Sequence, residues 1–187
     1  MRLGLLVLAC CAVTVSAAPA LAAPVTPSAL YGALLSTAIS DSQLPHGYKQ
    51  ASNVRGSETA GALKYHAVGE VEINLDQGQE AILYAVFPTH QDAVGRFQHP
   101  DPSTGVDTRH AGPSSLPKPS ETLDGYVTGK DAAGATVKNG ITGVAFVDGN
   151  VIIGTDTIST HSTTGGDLPG AIALAKFAIM HLHAISG

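Results

Sequence analysis

Residues 70–76 read Glu-Val-Glu-Ile-Asn-Leu-Asp and show the clearest alternation in the chain. Val71, Ile73 and Leu75 point to one side of an extended strand, and the polar residues between them point to the other. This pattern is typical of an antiparallel sheet that has one face against a core and one face in water. We therefore expect a strand over 63–76, bent at Gly69, followed by a turn over 76–79.

The segments around this strand predict the rest of the architecture. An apolar run over 81–87 predicts a strand covered on both faces, and a helix over 91–98 should follow it with Thr89 as N-cap. The same succession returns near the C-terminus: strands over 136–147 and 150–158 joined at Asp148-Gly149, then a helix from Leu168 to about Ile185 capped by Asp167. With a first helix over 28–39, capped by Thr26 or Ser28, the chain is expected to be an α+β domain. Its antiparallel or mixed sheet would have helices packed against it, built from two ββα units after the N-terminal helix.

The N-terminal segment has the features of an export signal. Arg2 precedes an apolar run, and the small-residue sequence Ala20-Leu21-Ala22 resembles a peptidase site. We expect residues 1–22 to be a signal peptide and 23–187 to be a single domain that is secreted or held in a bacterial cell envelope. Two alternatives stay open, which are lipidation at Cys10 and a retained N-terminal membrane helix.

Composition disfavours several function classes. The formal net charge of −5 argues against nucleic acid and anionic membranes as partners. Cys10 and Cys11 are the only cysteines, so the expected mature domain has no disulfide, thiolate metal site or thiol nucleophile. Aromatic residues make up 5% of the chain and Trp is absent, which disfavours a carbohydrate groove with aromatic platforms.

A Pro-rich stretch over 99–122 is expected to form a long irregular loop, and such loops are often functional or disordered. His99, Asp101, Asp107 and His110 lie within its first half, and we name them as candidate ligand-binding residues because binding groups concentrate on loops held by a scaffold. Histidine with carboxylate can also bind a metal ion. No recognised ligand spacing is present, however, so neither a metal nor a cofactor is expected.

The sequence contains no recognised catalytic motif. Gly-x-Ser-x-Gly, the Walker A pattern and the dinucleotide glycine pattern are all missing. Glu70, Glu72 and Asp76 share a strand face, but alternating carboxylates usually solvate an outer face. His181 and His183 fall on different sides of the last helix, so they cannot chelate one ion from one helical face.

Parts of the chain resemble a known family. Leu34-Leu35, residues 44–48 (Leu-Pro-His-Gly-Tyr), residues 149–154 (Gly-Asn-Val-Ile-Ile-Gly) and the Ala-rich helix 171–178 are similar to extracellular sensor-type domains of actinobacterial lipoproteins and receptor kinases. The resemblance implies an α+β domain with a central antiparallel sheet, a groove for an unidentified ligand and no enzymatic activity.

These observations together favour an exported, non-enzymatic domain that binds a small molecule or an envelope protein. Two other hypotheses remain. One is a secreted hydrolase whose site is dispersed in sequence, with His99 or His110 as base. The other is a metal-binding protein that uses some of the eight histidines.

Overall fold

The structure is a computed structural model of the whole chain, and it describes residues 25–37, 39–45, 47–55, 65–76, 80–100, 106–130, 134–159 and 165–187. The expected signal peptide over 1–22 and the candidate residue Asp101 lie outside these ranges. In chain order the elements are α1 (Pro27–Ser36), β1 (Gln50–Arg55), β2 (Gly69–Leu75), β3 (Glu80–Val86), α2 (His90–Gln98), β4 (Val106–Ala111), β5 (Ser120–Lys130), β6 (Thr136–Asp148), β7 (Val151–Ser159) and α3 (Leu168–Ser186).

Within the described residues, seven strands form one sheet in the order β1-β2-β3-β7-β6-β5-β4, and every neighbouring pair is antiparallel. The predicted α+β class with an antiparallel sheet is confirmed. β7 is the central strand, and its pairing with β3 joins the first half of the chain to the second.

One face of the sheet is covered by α1 and α3 and forms the main core. Its strand residues alternate as the sequence predicts, and Ile73, Ile82, Phe146 and Ile153 are fully buried. Thr155 ties α3 to this face, because its hydroxyl donates to the carbonyl of Ala171 at 2.7 Å. We call this face the helix-covered face.

The opposite face is covered at one end only. There α2 packs Ala93 and Phe97 against Ala85, Phe87 and Val147 in a second, smaller core. The two ββα successions thus place their helices on opposite sides of one sheet. The remainder of this second face has no helix from the described residues over it, and we call it the groove face.

The helix starts follow the predicted caps in two cases out of three. The hydroxyls of Thr26 and Thr89 accept the backbone N–H of Ala29 and Asp92 respectively. Asp167 occupies the N-cap position of α3, but its side chain makes no capping bond. Its backbone is held by Thr157 instead, whose hydroxyl accepts the N–H of Asp167 at 2.8 Å and lies 2.9 Å from its carbonyl oxygen.

The hairpin between β6 and β7 is shifted by one residue from the prediction. Asp148 pairs with Val151, so the two-residue loop is Gly149-Asn150 rather than Asp148-Gly149. Gly149 has φ +58°, and Asn150 is not in the left-handed region. A glycine at the first loop position with positive φ is the type II′ arrangement, in which only that residue needs a left-handed backbone.

The stretch 99–122 is less irregular than predicted. β4 occupies 106–111 and β5 begins at Ser120, so both strands use residues of the expected loop. β1 is a further strand that the sequence pattern did not predict. Both unpredicted strands lie at the sheet edges, where one side of the strand has no partner strand among the described residues and the periodic signal is weakest.

α3 is long and apolar enough to cross a membrane when judged by length and composition alone. In this fold its residues Leu174, Ala175 and Ala178 are fully buried in the core beneath the sheet. Met180 lies on its outer side and is 65% exposed.

Candidate functional site

The groove face carries a depression with a cavity volume of about 470 Å³. The strand register assigns most of its lining residues to the same side of five neighbouring strands. These residues are Glu72, Ala81, Leu83, Leu123, Gly125, Ile141, Gly143, Ala145, Ile152, Gly154 and Asp156.

Small residues at the middle of the sheet create the depression. Gly154 pairs with Leu83 on one side and with Ala145 on the other, and Gly143 lies one row away opposite Asp156. Where neighbouring strands carry hydrogen or methyl side chains, the space above the sheet stays open. The larger residues around them then form the sides.

The two glycines differ in why they are present. A Cβ built on Gly143 would lie 2.9 Å from the carbonyl oxygen of Thr155, so the backbones approach too closely there for a side chain. A Cβ on Gly154 would meet Leu83 at 3.7 Å, which is an ordinary contact. The absence of a side chain at Gly154 therefore does not serve the packing of the sheet, but it does keep the groove open.

Leu83 corrects the expectation that β3 is covered on both faces. It is 36% exposed and lines the groove, whereas its neighbours Ile82 and Tyr84 are fully buried on the helix-covered face. An apolar run alone cannot distinguish a doubly covered strand from one that lines an open apolar groove.

Asp156 is the most perturbed acid of the groove. It is half-buried, and burial raises its pKa to about 6, with the negative charge of Glu72 acting in the same direction. Backbone hydrogen bonds from Ala81, its cross-strand neighbour, and from its own N–H lower the pKa but do not offset the burial. The apolar floor around Asp156 therefore disfavours the charged form of its carboxyl group.

Glu70 lies on the same face, beside α2. Burial raises its pKa, and the guanidinium of Arg96 partly opposes this change. The polar side of β2 is thus not a simple solvated face, because α2 and the groove remove part of it from water. This corrects the expectation that these carboxylates only contact solvent.

Of the residues predicted from the 99–122 stretch, His99 and His110 do not lie among the groove residues. His99 is the exposed C-cap of α2, and its ring stacks on Tyr65 with centroids 6.3 Å apart. His110 is exposed on β4, with Nε2 3.7 Å from a carboxylate oxygen of Asp124. Asp107 is at an irregular position of β4, where the register with β5 shifts.

No contact in the described structure joins these candidates into one site. His99 belongs to the α2 end, whereas His110 belongs to the edge strand β4. Among the described residues, no three His, Cys, Asp or Glu side chains are placed to hold a metal ion. The assignment of ligand binding to His99, Asp101, Asp107 and His110 stays a prediction.

The two histidines of α3 behave as their positions on the helix predict. His181 is buried, with Nδ1 3.1 Å from the hydroxyl of Tyr84, and burial lowers its pKa. His183 is exposed, and its Nε2 lies 2.8 Å from Asp148.

A second set of acids lies at one end of the helix-covered face. Burial raises the pKa of Glu80 to about 7, and the charges of Asp76, Asp156 and Asp167 add to the effect. One carboxylate oxygen of Glu80 is buried and has no hydrogen-bond partner among the described residues. Burial also raises the pKa of Tyr48, with Asp167 as the next largest cause.

The sequence contained a signal for the groove acid that pattern reading overlooked. Asp156 is the one charged residue of the strand 151–158, and it lies on the side shared by Ile152 and Gly154. A single carboxylate and a glycine on one side of a strand that otherwise carries no charge indicate a face that is not filled by a core. The sequence could not show that Glu72 lies near Asp156, because these residues belong to β2 and β7, which are separated by β3 in the sheet.

Compared with known proteins, the chain matches no family model, no curated protein and no solved structure at a significant level. The resemblance to extracellular sensor-type domains stays a prediction.

Proposed function

We propose that this protein binds a small, mainly apolar molecule in the groove of its sheet. The observation that carries the proposal is the open apolar depression of about 470 Å³ in the middle of the groove face, bordered by Asp156 and Glu72. Ligand sites commonly have volumes of about 300–1,000 Å³, apolar walls and a few polar groups that fix orientation. Ionisable groups with strongly perturbed pKa values also concentrate at such sites.

Gly154 supports binding in this groove over a purely structural role for the face. A larger residue would fit there without backbone conflict and would bury apolar area, yet the position carries hydrogen only. Leu83 beside it stays 36% exposed as a result. Apolar surface in the groove therefore stays exposed to water, and a bound ligand would bury it.

We propose that the ligand binds outside the cytoplasm and that the protein does not convert it chemically. The support for export is the sequence of residues 1–22. Expression with the natural N-terminus followed by mass spectrometry tests it. A chain that begins at Ala23 agrees with the proposal, whereas an uncleaved chain or a lipid on Cys10 contradicts it.

The binding experiment is an amide-resonance titration of the protein with 1-decanol, a neutral apolar probe, below its solubility limit. We expect shifts that cluster on residues around Leu83, Gly154 and Ala145. Gly154→Leu should fill the groove and abolish these shifts. Gly32→Leu is the matched control, because Gly32 lies on α1 behind the helix-covered face, with nothing within 4 Å of an added Cβ.

Several outcomes would contradict the proposal. One is that the probe causes no shifts, and another is that it shifts only residues remote from the groove. Binding of the probe that persists in Gly154→Leu would also contradict the proposal. If Gly154→Leu does not fold, as judged by circular dichroism, Gly154→Ala narrows the groove with a single methyl group and should weaken binding instead of abolishing it.

A second candidate function is hydrolysis, and one observation favours it. Burial raises the pKa of Asp156 to about 6, and a carboxyl group with a raised pKa beside a second carboxylate is an arrangement that acid–base hydrolysis uses. Cleavage of chromogenic ester or glycoside substrates that is lost in Asp156→Asn would support this function. Activity that is unchanged in that variant would exclude Asp156 as the acid.

A further inference from the structure

We propose that the groove selects a cationic amphiphile, a molecule with an apolar body and an ammonium group that pairs with Asp156. This inference rests on the proposed function and names the chemical class of its ligand. It depends on the charges of the groove and on how they are compensated.

The groove floor contains two negative side chains and no positive one among the residues assigned to it by register. Glu72 comes from β2 and Asp156 from β7, and the floor residues of β3 and β6 are apolar. Two like charges on a low-dielectric surface repel each other. A cation bound between them would be attracted to both and would offset this repulsion.

The ion pairs of the described residues do not include Asp156 or Glu72. They join Arg109 to Glu121, His110 to Asp124 and His183 to Asp148. Arg109 pairs with Leu123 and so lies on the groove face, at the β4–β5 edge, where Glu121 neutralises it. Lys138 lies 3.6 Å from the centre of the Tyr126 ring, and the register places both on the side opposite the groove floor. The groove acids are therefore not neutralised by a cation in the described structure.

The surroundings of Asp156 favour a donor ligand specifically. Its carboxylate is stabilised by backbone N–H groups, which are too few to offset its burial. A ligand ammonium would supply charge-assisted N–H···O bonds, which are about twice as strong as neutral ones. A fatty-acid carboxylate of the same length would instead be repelled by Asp156 and Glu72.

The apolar part of the ligand also has a defined path. Asp156 pairs with Gly143, and Gly143 pairs with Leu123, so the row leads from β7 across β6 to β5. Two spacings of about 4.8 Å give about 10 Å of apolar floor beyond the carboxylate. A medium-length alkyl chain would lie along this row with its ammonium group at Asp156.

The test compares three probes of equal chain length, namely decylammonium, 1-decanol and decanoate, each below its micelle concentration at pH 7.5. Binding is measured by amide-shift titration of the whole protein. We expect decylammonium to bind about tenfold more tightly than 1-decanol, and decanoate to bind most weakly. Asp156→Asn should reduce the affinity for decylammonium to that for 1-decanol.

Asp148→Asn is the matched control, because it removes the same charge from an acid that pairs with His183 away from the groove. It should keep the tenfold preference. If Asp156→Asn does not fold, the wild-type protein still tests the inference. Its preference for the amine should decline as Asp156 takes up a proton below about pH 6.

Three other acids near the groove can contribute to that pH dependence. Glu72 faces Asp156 from β2, Glu70 lies beside Arg96 of α2, and Glu121 on β5 is paired with Arg109. The floor positions of β3 and β6 carry no titratable side chain. Glu72→Gln should therefore retain part of the preference, and its pH midpoint should still follow Asp156.

The outcomes separate this inference from the proposed function. Equal binding of decylammonium and 1-decanol in the groove would overturn the charge selectivity and leave small-molecule binding intact. Tighter binding of decanoate would also overturn it. If none of the three probes shifts groove residues, both proposals fail. A tenfold preference that persists in Asp156→Asn would refute the role of that carboxylate.

Discussion

The two faces of the sheet are built from alternate residues of the same strands, yet they differ in almost every respect. On the helix-covered face, Ile82, Tyr84 and Ile153 are fully buried beneath α1 and α3. On the groove face, the residues beside them are Leu83, which is partly exposed, Gly154 without a side chain, and the half-buried Asp156. One face therefore supplies most of the burial that stabilises the fold, and the other can hold a site.

The difference also explains why the acids are tolerated. A domain whose main core lies on one side of the sheet can keep a poorly solvated carboxylate on the other side at a modest energetic cost. Groups held at a cost to stability are characteristic of functional sites. The groove face is not uniformly open, however, because α2 closes the end near the β6–β7 hairpin.

The largest expected effect comes from comparing two adjacent residues of β3. Ile82→Ala should lower the free energy of unfolding by about 2–5 kcal/mol, because it leaves a cavity in the main core. Leu83→Ala should cost about 1 kcal/mol, because Leu83 is 36% exposed on the groove face. Urea unfolding of both variants measures this difference, and equal losses would show that the two faces are equally packed.

The two groove glycines give the next comparison. Gly143→Ala should destabilise the fold by about 1–3 kcal/mol, because its Cβ would approach the Thr155 carbonyl at 2.9 Å. Gly154→Ala should change stability by no more than about 0.5 kcal/mol, since its Cβ meets only ordinary contacts. The measurement is the unfolding midpoint of each variant. A large loss for Gly154→Ala would mean that this glycine serves the packing of the sheet.

The pH dependence of stability should carry a contribution from Asp156. Its pKa is raised from 3.8 to about 6 on folding, so its contribution favours the fold at low pH and is lost as pH rises from about 4 to about 6. Asp156→Asn should therefore be more stable than the wild type by about 1–2 kcal/mol at pH 7.5, a value reduced for the partial exposure of the group. At pH 4 the two proteins should differ little.

Glu80 provides the counterpart on the helix-covered face. Its pKa is raised from 4.5 to about 7, so the wild-type protein loses this contribution as pH rises through that interval. In urea unfolding at several pH values, the gain in Asp156→Asn should be complete near pH 6, and the gain in Glu80→Gln only near pH 7. Identical pH profiles for the two variants would contradict separate titration of the two acids.

The smallest expected effect is that of an exposed ion pair. Asp148→Asn removes the partner of His183, whose side chain is 62% exposed, and should change stability by no more than about 0.5 kcal/mol. Thermal unfolding at pH 7.5 measures it. A change above 1 kcal/mol would disqualify this variant as the control for Asp156→Asn.

Local sequence signals predicted most of the fold. The alternation at Val71, Ile73 and Leu75, the Thr89 cap and the final helix from Leu168 all follow from residue order within one element. The edge strands β1 and β4 were not predicted. The side-chain cap by Asp167 was predicted but is not formed, because Thr157 of a neighbouring strand holds the start of α3.

The candidate site was predicted far less well than the fold. Sequence reading turned to the histidines and acids of the 99–122 stretch, since polar residues near prolines indicate an exposed loop. The groove has no such signature, because most of its residues are apolar or small and they come from five strands. Its one local signal was Asp156, the single charged residue of its strand, on the same side as Gly154.

The sequence by itself determined that this chain forms amphipathic strands and helices, because periodicity and capping act between residues close along the chain. It also determined that each strand has two distinct sides. Only the tertiary structure decided which side the helices cover, with α1 and α3 on one face and α2 on the other. The groove exists because the order β3-β7-β6 brings Leu83, Gly154 and Ala145 into one row, and that pairing depends on the packing of the whole sheet.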